Sequence, residues 1–253
     1  MPWLMNICRT QTIYILVTRA MAVVGDVLLS VDCAAWTVAY FAIRFVAWMV
    51  WGNALLKGYT YRSYIVGIVH EGFVLPVLFG LCVARFWKTG GTFSEWLSRT
   101  WDDGDLFWEK QAHFAAAGYL ISDATNVFAS PAFGGSLAMH HAASMGILVF
   151  SLGMPSGSGI GTFNTVVLEW GSLWLNLGTL YPRPLVYTCR LYAYTITRSF
   201  AFLANIYLVH LLPWSWNQVL LPCCVALLYN NFTTARTLHK NAAAYAAARK
   251  KNK

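Results

Sequence analysis

The sequence has 253 residues, of which 58% are hydrophobic and 16% are aromatic. Only 11% are charged, whereas a soluble domain usually carries about 25%, which excludes a disordered chain and argues against an ordinary soluble enzyme. The net charge is +8, but the basic residues after Arg236 form a C-terminal tail without acids. Such a tail suits anionic lipid headgroups better than nucleic acid. The composition therefore indicates a polytopic membrane protein of the all-α class.

The chain divides into three parts. Residues 1–32 predict an amphipathic or shallowly inserted N-terminal helix; the first 25 hold two arginines and no acid, as in a mitochondrial import segment, here expected to be retained because Met1 is present. Residues 33–240 form the membrane domain, and residues 241–253 form the basic tail. Since a spanning helix needs about 20 apolar residues, the apolar runs of the middle part predict about seven spans: 33–56, 63–86, 112–129, 135–152, 162–181, 186–212 and 214–235.

The distribution of lysine and arginine predicts the orientation of these spans. The loops that would share a side with the tail contribute Lys57, Arg62 and Arg183, while the opposite side includes the one sizeable polar loop, 87–111. Counted over both sides, the tail side carries the excess of basic residues. The C-terminus is therefore predicted to lie in the cytosol or the mitochondrial matrix.

Ionisable residues within the apolar segments are costly in lipid and so indicate sites. Glu169, Ser172 and Asn176 have helical spacing and share one face. We expect Asp123, one histidine of the adjacent pair, and Glu169 to meet in one polar pocket. The ionisable residues of these segments are Arg44, His70, Glu71, His113, Asp123, His140, His141, Glu169 and Arg198.

Two chemistries are open for this polar set. A histidine beside a carboxylate can act as a general base or as a nucleophile that accepts an acyl group. The alternative is an interhelical hydrogen-bond network that fixes helix packing. Six histidines with one adjacent pair do not suffice for a di-iron site, and the six scattered cysteines without a CxxC indicate neither zinc nor a disulfide framework. No metal and no cofactor is therefore predicted.

The order of these residues resembles the TLC-domain family, which includes ceramide synthases, translocon-associated membrane proteins and short lipid-regulating proteins. The resemblance spans about residues 60–240 and rests on Gly118-Tyr119 with Asp123, on His140-His141, on Glu169 with Ser172 and Asn176, and on Arg62, His70, Arg198 and Asn230-Asn231-Phe232. It implies a helical bundle with catalytic His140, His141 and Asp123 if the chain is an enzyme, acyl-CoA being the substrate, and with Glu169, Ser172, Asn176 and Arg198 as lipid-binding residues. Ceramide synthases carry a further aspartate pair after the histidines, where this chain has Glu169 alone, so the short members are the better match.

Two functions follow from the sequence. The first is a non-catalytic, lipid-binding accessory or structural subunit of an organellar complex, with membrane lipids and other membrane subunits as partners, in the mitochondrial inner membrane. The second is acyl-CoA-dependent N-acylation of a long-chain base in the endoplasmic reticulum, where Lys250-Lys251-Asn252-Lys253 matches a dilysine retrieval signal. A transporter is a weaker third alternative because no internal repeat is visible. The first function is the one we predict.

Overall fold

The structure is a computed structural model, and it describes residues 18, 25–26, 28–101, 106–128 and 135–251, with side chains except those of 126–140, 219, 223, 226–227, 230 and 244–251. This part of the chain is almost entirely helical, so the predicted all-α class is confirmed. Most of the predicted N-terminal segment 1–32 lies outside the described residues. The basic tail that begins at 241 continues the last helix as far as Lys251.

The described chain contains nine α-helices, one π-helix and one short hairpin. The hairpin pairs two strands of two residues in antiparallel register, Leu55 opposite Thr60 and Leu56 opposite Tyr59. In chain order the elements are α1 (Val31–Trp51), β1 (Leu55–Leu56), β2 (Tyr59–Thr60), α2 (Tyr61–Val69), the π-helix (His70–Val74), α3 (Leu75–Lys88), α4 (Phe93–Ser98), α5 (Phe107–Phe128), α6 (Gly135–Gly153), α7 (Ser158–Leu180), α8 (Pro184–Leu211) and α9 (Trp214–Lys251).

Each of the seven predicted spans overlaps a helical stretch. Within the described residues two stretches are long and apolar enough to cross a membrane, judged by length and composition: Val31–Trp51 and Tyr61–Lys88. A shorter apolar helix covers His141–Gly153. Loop 87–111 is partly helical, because it contains α4 and the first turn of α5. Two candidate spans are thus observed, and the seven-span bundle stays a prediction.

Local sequence signals explain where several helices begin and end. The Ser30 hydroxyl accepts a hydrogen bond from the Cys33 amide (3.0 Å) and so caps α1. Gly52 ends α1 with a φ of +56°, a conformation that favours glycine. Thr92 and Glu95 form a reciprocal capping box at the start of α4. Pro184 occupies the first turn of α8, where its missing N–H has no intrahelical partner to lose.

Close helix packing positions the polar interior. The most extensive helix contacts join α7 to α8, followed by those between α1 and α5. Gly118 permits the second contact, because a Cβ at this position would lie 2.7 Å from the Thr37 backbone nitrogen. Gly171 does the same for α7 and α8, since a Cβ there would overlap the Thr197 hydroxyl. Both glycines bring polar side chains of neighbouring helices within reach of each other.

Candidate functional site

The polar residues that α1 and α5 turn towards each other form the centre of the candidate site. Tyr40 and Arg44 are one turn apart on α1, and Tyr119 and Asp123 are one turn apart on α5. A spacing of four places each pair on one helix face. Histidines from the π-helix and from α6 complete the group, which we call the central polar cluster: Tyr40, Arg44, His70, Tyr119, Asp123 and His141.

One end of the central polar cluster is ionic. Arg44 donates from Nη2 to Asp123 Oδ1 (2.7 Å) and from Nε to the Ser122 hydroxyl (3.2 Å). His141 Nε2 lies 2.9 Å from the other Asp123 oxygen, Oδ2. Arg44 is 4% exposed and Asp123 is 7% exposed. Asp123 therefore joins three helices through both of its carboxylate oxygens, and each charge is compensated inside the bundle.

The other end of the cluster is aromatic. The Tyr40 hydroxyl lies 2.5 Å from His70 Nδ1, and both side chains are fully buried. The imidazole of His70 stacks on the Tyr119 ring with 4.2 Å between centroids and 12° between planes. If Tyr40 donates to Nδ1, the proton of the neutral imidazole sits on Nε2. His70 is thus held by one hydrogen bond and one stacking contact, with a defined ring orientation.

The π-helix turns two consecutive polar residues inward. His70 and Glu71 are both buried, and π-helical turns are frequent at functional sites. Glu71 accepts from Asn176 Nδ2 through both of its oxygens, at 3.0 and 2.9 Å. Gly67 makes room for this contact, since a Cβ there would lie 2.7 Å from the same Asn176 nitrogen. The π-helix is therefore linked to α7 as well as to α1.

The four predicted lipid-binding residues are divided between two contacts. Arg198 donates from Nη2 to the Ser172 hydroxyl (3.2 Å) and from Nη1 to the Leu168 carbonyl, and its guanidinium lies 4.5 Å from the Tyr194 ring centroid. Glu169 interacts electrostatically with Arg198, His141 and Asp123. Asn176 lies further along α7 and contacts Glu71 instead. Glu169 therefore lies within electrostatic range of both the Arg198 contact and the central polar cluster.

The predicted catalytic residues are described in part. His141 and Asp123 are in contact, whereas the side chain of His140 lies outside the described residues. His113, although ionisable and fully buried, belongs to a different group nearer the start of α5. Its Nδ1 lies 3.0 Å from the Glu109 carbonyl oxygen, and its ring meets the edge of Trp101 at 5.0 Å.

Glu109 corrects the sequence-based interpretation of loop 87–111. The sequence assigns Glu109 to a polar loop, but it lies in α5 and is 2% exposed. Trp96 of α4 folds back and donates from Nε1 to Glu109 Oε1 (2.9 Å). A tryptophan that can satisfy its N–H brings apolar area with it, which explains why this acid is covered. We call Trp96, Trp101, Glu109 and His113 the peripheral polar cluster.

Several buried polar atoms of the site keep hydrogen-bonding capacity. Arg44 Nη1 and His70 Nε2 have no hydrogen-bond partner among the described residues. Both atoms belong to the central polar cluster. Arg44 lies on α1, and His70 contacts Tyr40, which lies one turn before Arg44 on the same helix. Because a buried donor without an acceptor is costly, these two atoms suit an oxygen atom supplied by a bound molecule. Within the same described residues, no group of three or more His, Cys, Asp or Glu is arranged to hold a metal.

The sequence did not indicate Tyr40 or Tyr119 as site residues. The sequence carries a signal for Arg44, since an arginine within an apolar segment needs a partner such as a carboxylate. The aromatic contacts carry no such signal, because tyrosines are common in apolar helices. No family model matches the chain, and neither a curated protein nor a solved structure does.

Proposed function

We propose that this chain is an integral membrane protein of TLC-like architecture that binds lipid and serves as a non-catalytic accessory subunit of an organellar membrane complex. The observation that carries the proposal is the distribution of side chains. Phe45 and Met49 are 59% and 67% exposed, while Arg44, which directly precedes Phe45 in the same helix, is 4% exposed. A soluble fold arranges these residues the other way. In lipid, apolar side chains face outward and ionisable groups pair inside.

The same arrangement supports about seven spans rather than two. Large apolar side chains are also exposed on helices that are less apolar on average, among them Phe200 and Leu203 of α8 and Val225 and Phe232 of α9. Contiguous exposed apolar surface of this extent needs a cover. With the C-terminus in the matrix or cytosol, the mitochondrial inner membrane is the location we propose, and neighbouring subunits or lipid acyl chains would cover these faces.

Lipid binding is supported by the donors left over in the central polar cluster. Arg44 Nη1 and His70 Nε2 are buried without a partner among the described residues. A carbonyl or phosphate oxygen of a bound lipid could accept a hydrogen bond from either donor. The remaining groups of the cluster already bond to one another, which is the arrangement that packing requires.

The test uses the purified full chain in lipid nanodiscs. Arg44→Lys keeps a cation beside Asp123 but removes the Nη1 donor, and we expect it to lose co-purifying lipid, measured by mass spectrometry, while the protein stays folded and membrane-embedded. Lys88→Arg exchanges a cation at an exposed helix end and is the matched control. The proposal is contradicted if carbonate extracts the wild-type protein from the membrane, or if the purified wild-type protein carries no lipid.

The second candidate is acyl transfer, and the contact between His141 and Asp123 (2.9 Å) favours it. A carboxylate that orients a histidine is a common device of general-base and nucleophilic catalysis. Incubation with acyl-CoA and a long-chain base separates the candidates. We expect no N-acylated product from the wild type. Product that disappears when His140→Ala and His141→Ala are combined, with fold and partners intact, would replace the structural proposal by the enzymatic one.

A further inference from the structure

A groove between α8 and α9 lies away from the polar clusters described above. Its volume is about 230 Å³, below the roughly 300–1,000 Å³ of pockets that enclose drug-sized ligands. It is open on one side and suits a small polar group rather than a whole acyl chain. One arginine and five residues of α9 line it: Arg190, Thr233, Thr234, Thr237, Leu238 and Asn241.

Arg190 is held in place at this groove. Its side chain crosses α7 at Gly178, where a Cβ would lie 2.9 Å from the Arg190 Cδ. Its guanidinium carbon lies 5.9 Å from the Tyr187 ring centroid. The Nε atom is buried and has no hydrogen-bond partner in the described part of the chain. The guanidinium is thus positioned by packing, and a donor of it is left without an acceptor.

The surrounding sequence offers Arg190 no carboxylate. From residue 170 to the end the chain contains lysines and arginines but no aspartate or glutamate. Neither α8 nor α9 can therefore supply the counter-ion that Arg44 finds in Asp123. A buried or half-buried cation without an anion is unfavourable, so the compensating charge is expected from a bound molecule.

The position of the groove along the membrane normal indicates the source of the compensating negative charge. Trp214 begins α9 shortly after α8 ends at Leu211, and tryptophans in such turns are typical of a membrane interface. A helix rises 1.5 Å per residue, so about 20 residues cross the hydrocarbon core. Counted from that interface, the opposite boundary falls near residue 234 on α9 and near residue 191 on α8. Arg190 and the threonines of α9 therefore meet at the level of the lipid headgroups.

We infer that this groove binds the phosphate of an anionic lipid headgroup. The inference rests on the proposed function only in that the chain must span a membrane. A guanidinium matches two phosphate oxygens with parallel N–H donors. The Thr234 hydroxyl and the Asn241 amide can donate to the remaining oxygens, whereas the Thr237 hydroxyl already donates to the Thr233 carbonyl (2.9 Å). Exposed Lys240, next to Asn241, adds positive charge at the rim.

The experiment compares full-length variants in nanodiscs of phosphatidylcholine that contain a minor fraction of phosphatidylglycerol. Native mass spectrometry counts the phosphatidylglycerol molecules retained per protein as the collision energy is raised. We expect Arg190→Gln to retain it about tenfold less well, Arg190→Lys to recover part of the loss, and Thr234→Val to lose a smaller part. Arg236→Gln removes an equal charge from an exposed position of α9, close in sequence to the threonines of the groove, and is the matched control.

The outcomes separate the possibilities. Selective loss in Arg190→Gln and Thr234→Val, unaffected by millimolar inorganic phosphate, supports the inference. Equal retention in Arg190→Gln and Arg236→Gln overturns it, even when the protein is membrane-embedded and the proposed function stands. Displacement of phosphatidylglycerol by inorganic phosphate also overturns it, because the groove would then be a site for free phosphate. If Arg190→Gln does not fold, Thr234→Val decides alone, and extraction of the wild type by carbonate overturns the inference together with the proposed function.

Discussion

Arg44 and Arg190 show how differently the two halves of the bundle treat the same side chain. Arg44 lies between α1 and α5, where Asp123 supplies its counter-charge at 2.7 Å. Arg190 lies between α7, α8 and α9, where the sequence contains no acid after Glu169. The first arginine is compensated by the chain itself, so the fold depends on its partner being present. The second depends on the surroundings of the protein and therefore reports on what it binds.

The largest effect is expected at the first of these arginines. Asp123→Ala leaves the Arg44 charge buried without its partner, which typically costs about 3–5 kcal/mol. The free energy of unfolding, measured by titrating sodium dodecyl sulfate into the detergent-solubilised protein, should fall by this amount. Combining Arg44→Met with Asp123→Leu should restore most of it, because two apolar side chains need no compensation.

Arg190→Met is the comparison that sharpens this result. It removes a cation that the chain itself does not neutralise, so the free energy of unfolding in detergent should not fall by the several kcal/mol expected for Asp123→Ala. A loss as large as that of Asp123→Ala would mean that Arg190 is compensated from within the chain. The contrast between the two halves would then be wrong.

An effect smaller than that of Asp123→Ala is expected from a substitution in the helix contact that brings Arg44 to Asp123. Gly118→Ala places a methyl group 2.7 Å from the Thr37 nitrogen, and overpacking of this kind costs about 1–3 kcal/mol. Gly80→Ala is the matched control, because nothing lies within 4 Å of its added Cβ and alanine favours a helix. Unfolding in sodium dodecyl sulfate should separate the two variants in sign. Equal behaviour would show that α1 and α5 can move apart without loss.

The sequence predicts the helices of this bundle better than it predicts their partners. Apolar runs of sufficient length locate most ends of the long helices within about five residues, because lipid-compatible helices need little else. The exception is α9, which continues to Lys251 beyond its predicted end at residue 235, since an alanine-rich segment extends the helix without being apolar enough for a span. The sequence also singles out Asp123 and the adjacent histidines by their cost at membrane depth. It does not reveal that Asp123 pairs with Arg44, since that choice depends on the rotation of α1 against α5, which Gly118 permits.

One assignment was wrong and one feature was not predicted, for separate physical reasons. The sequence assigns Glu109 to a polar loop because acids precede it, yet Trp96 covers it from a helix that the loop contains. His70 and Glu71 are adjacent, so a regular helix would separate their side chains by about 100°. The π-helix lets both side chains face inward. A sequence pattern with the 3.6-residue period of an α-helix cannot predict a turn with a different period.

His141→Ala should have a modest effect on stability, because it changes only one contact at the ionic end of the central polar cluster. It removes the hydrogen bond to Asp123 Oδ2, while Arg44 keeps the other oxygen. Interhelical hydrogen bonds in membranes contribute about 0.6 kcal/mol on average, and the unfolding free energy should fall by that order. Thr195→Ala, exposed on α8 and bonded only within its helix, is the control. A loss of several kcal/mol would mean that His141 carries charge that Asp123 needs.

The smallest effect lies outside both halves, in the exposed capping box of α4. The Thr92 amide and hydroxyl both donate to the Glu95 carboxylate, and they lower the pKa of Glu95 below its ordinary value. A carboxyl whose pKa is lowered on folding contributes stability above its unfolded pKa and loses it as the pH falls through its folded pKa. Glu95→Gln keeps an amide that can cap the helix but removes the titration.

The unfolding midpoint in detergent should therefore favour the wild type over Glu95→Gln at about pH 7, and the difference should vanish at about pH 3. Because Glu95 is exposed to solvent, added salt should reduce the difference further. Glu95→Ala should be less stable than both at neutral pH, since it leaves the Thr92 amide without its acceptor. A difference that grows on acidification would show that the lowered pKa of Glu95 is not what stabilises the start of α4.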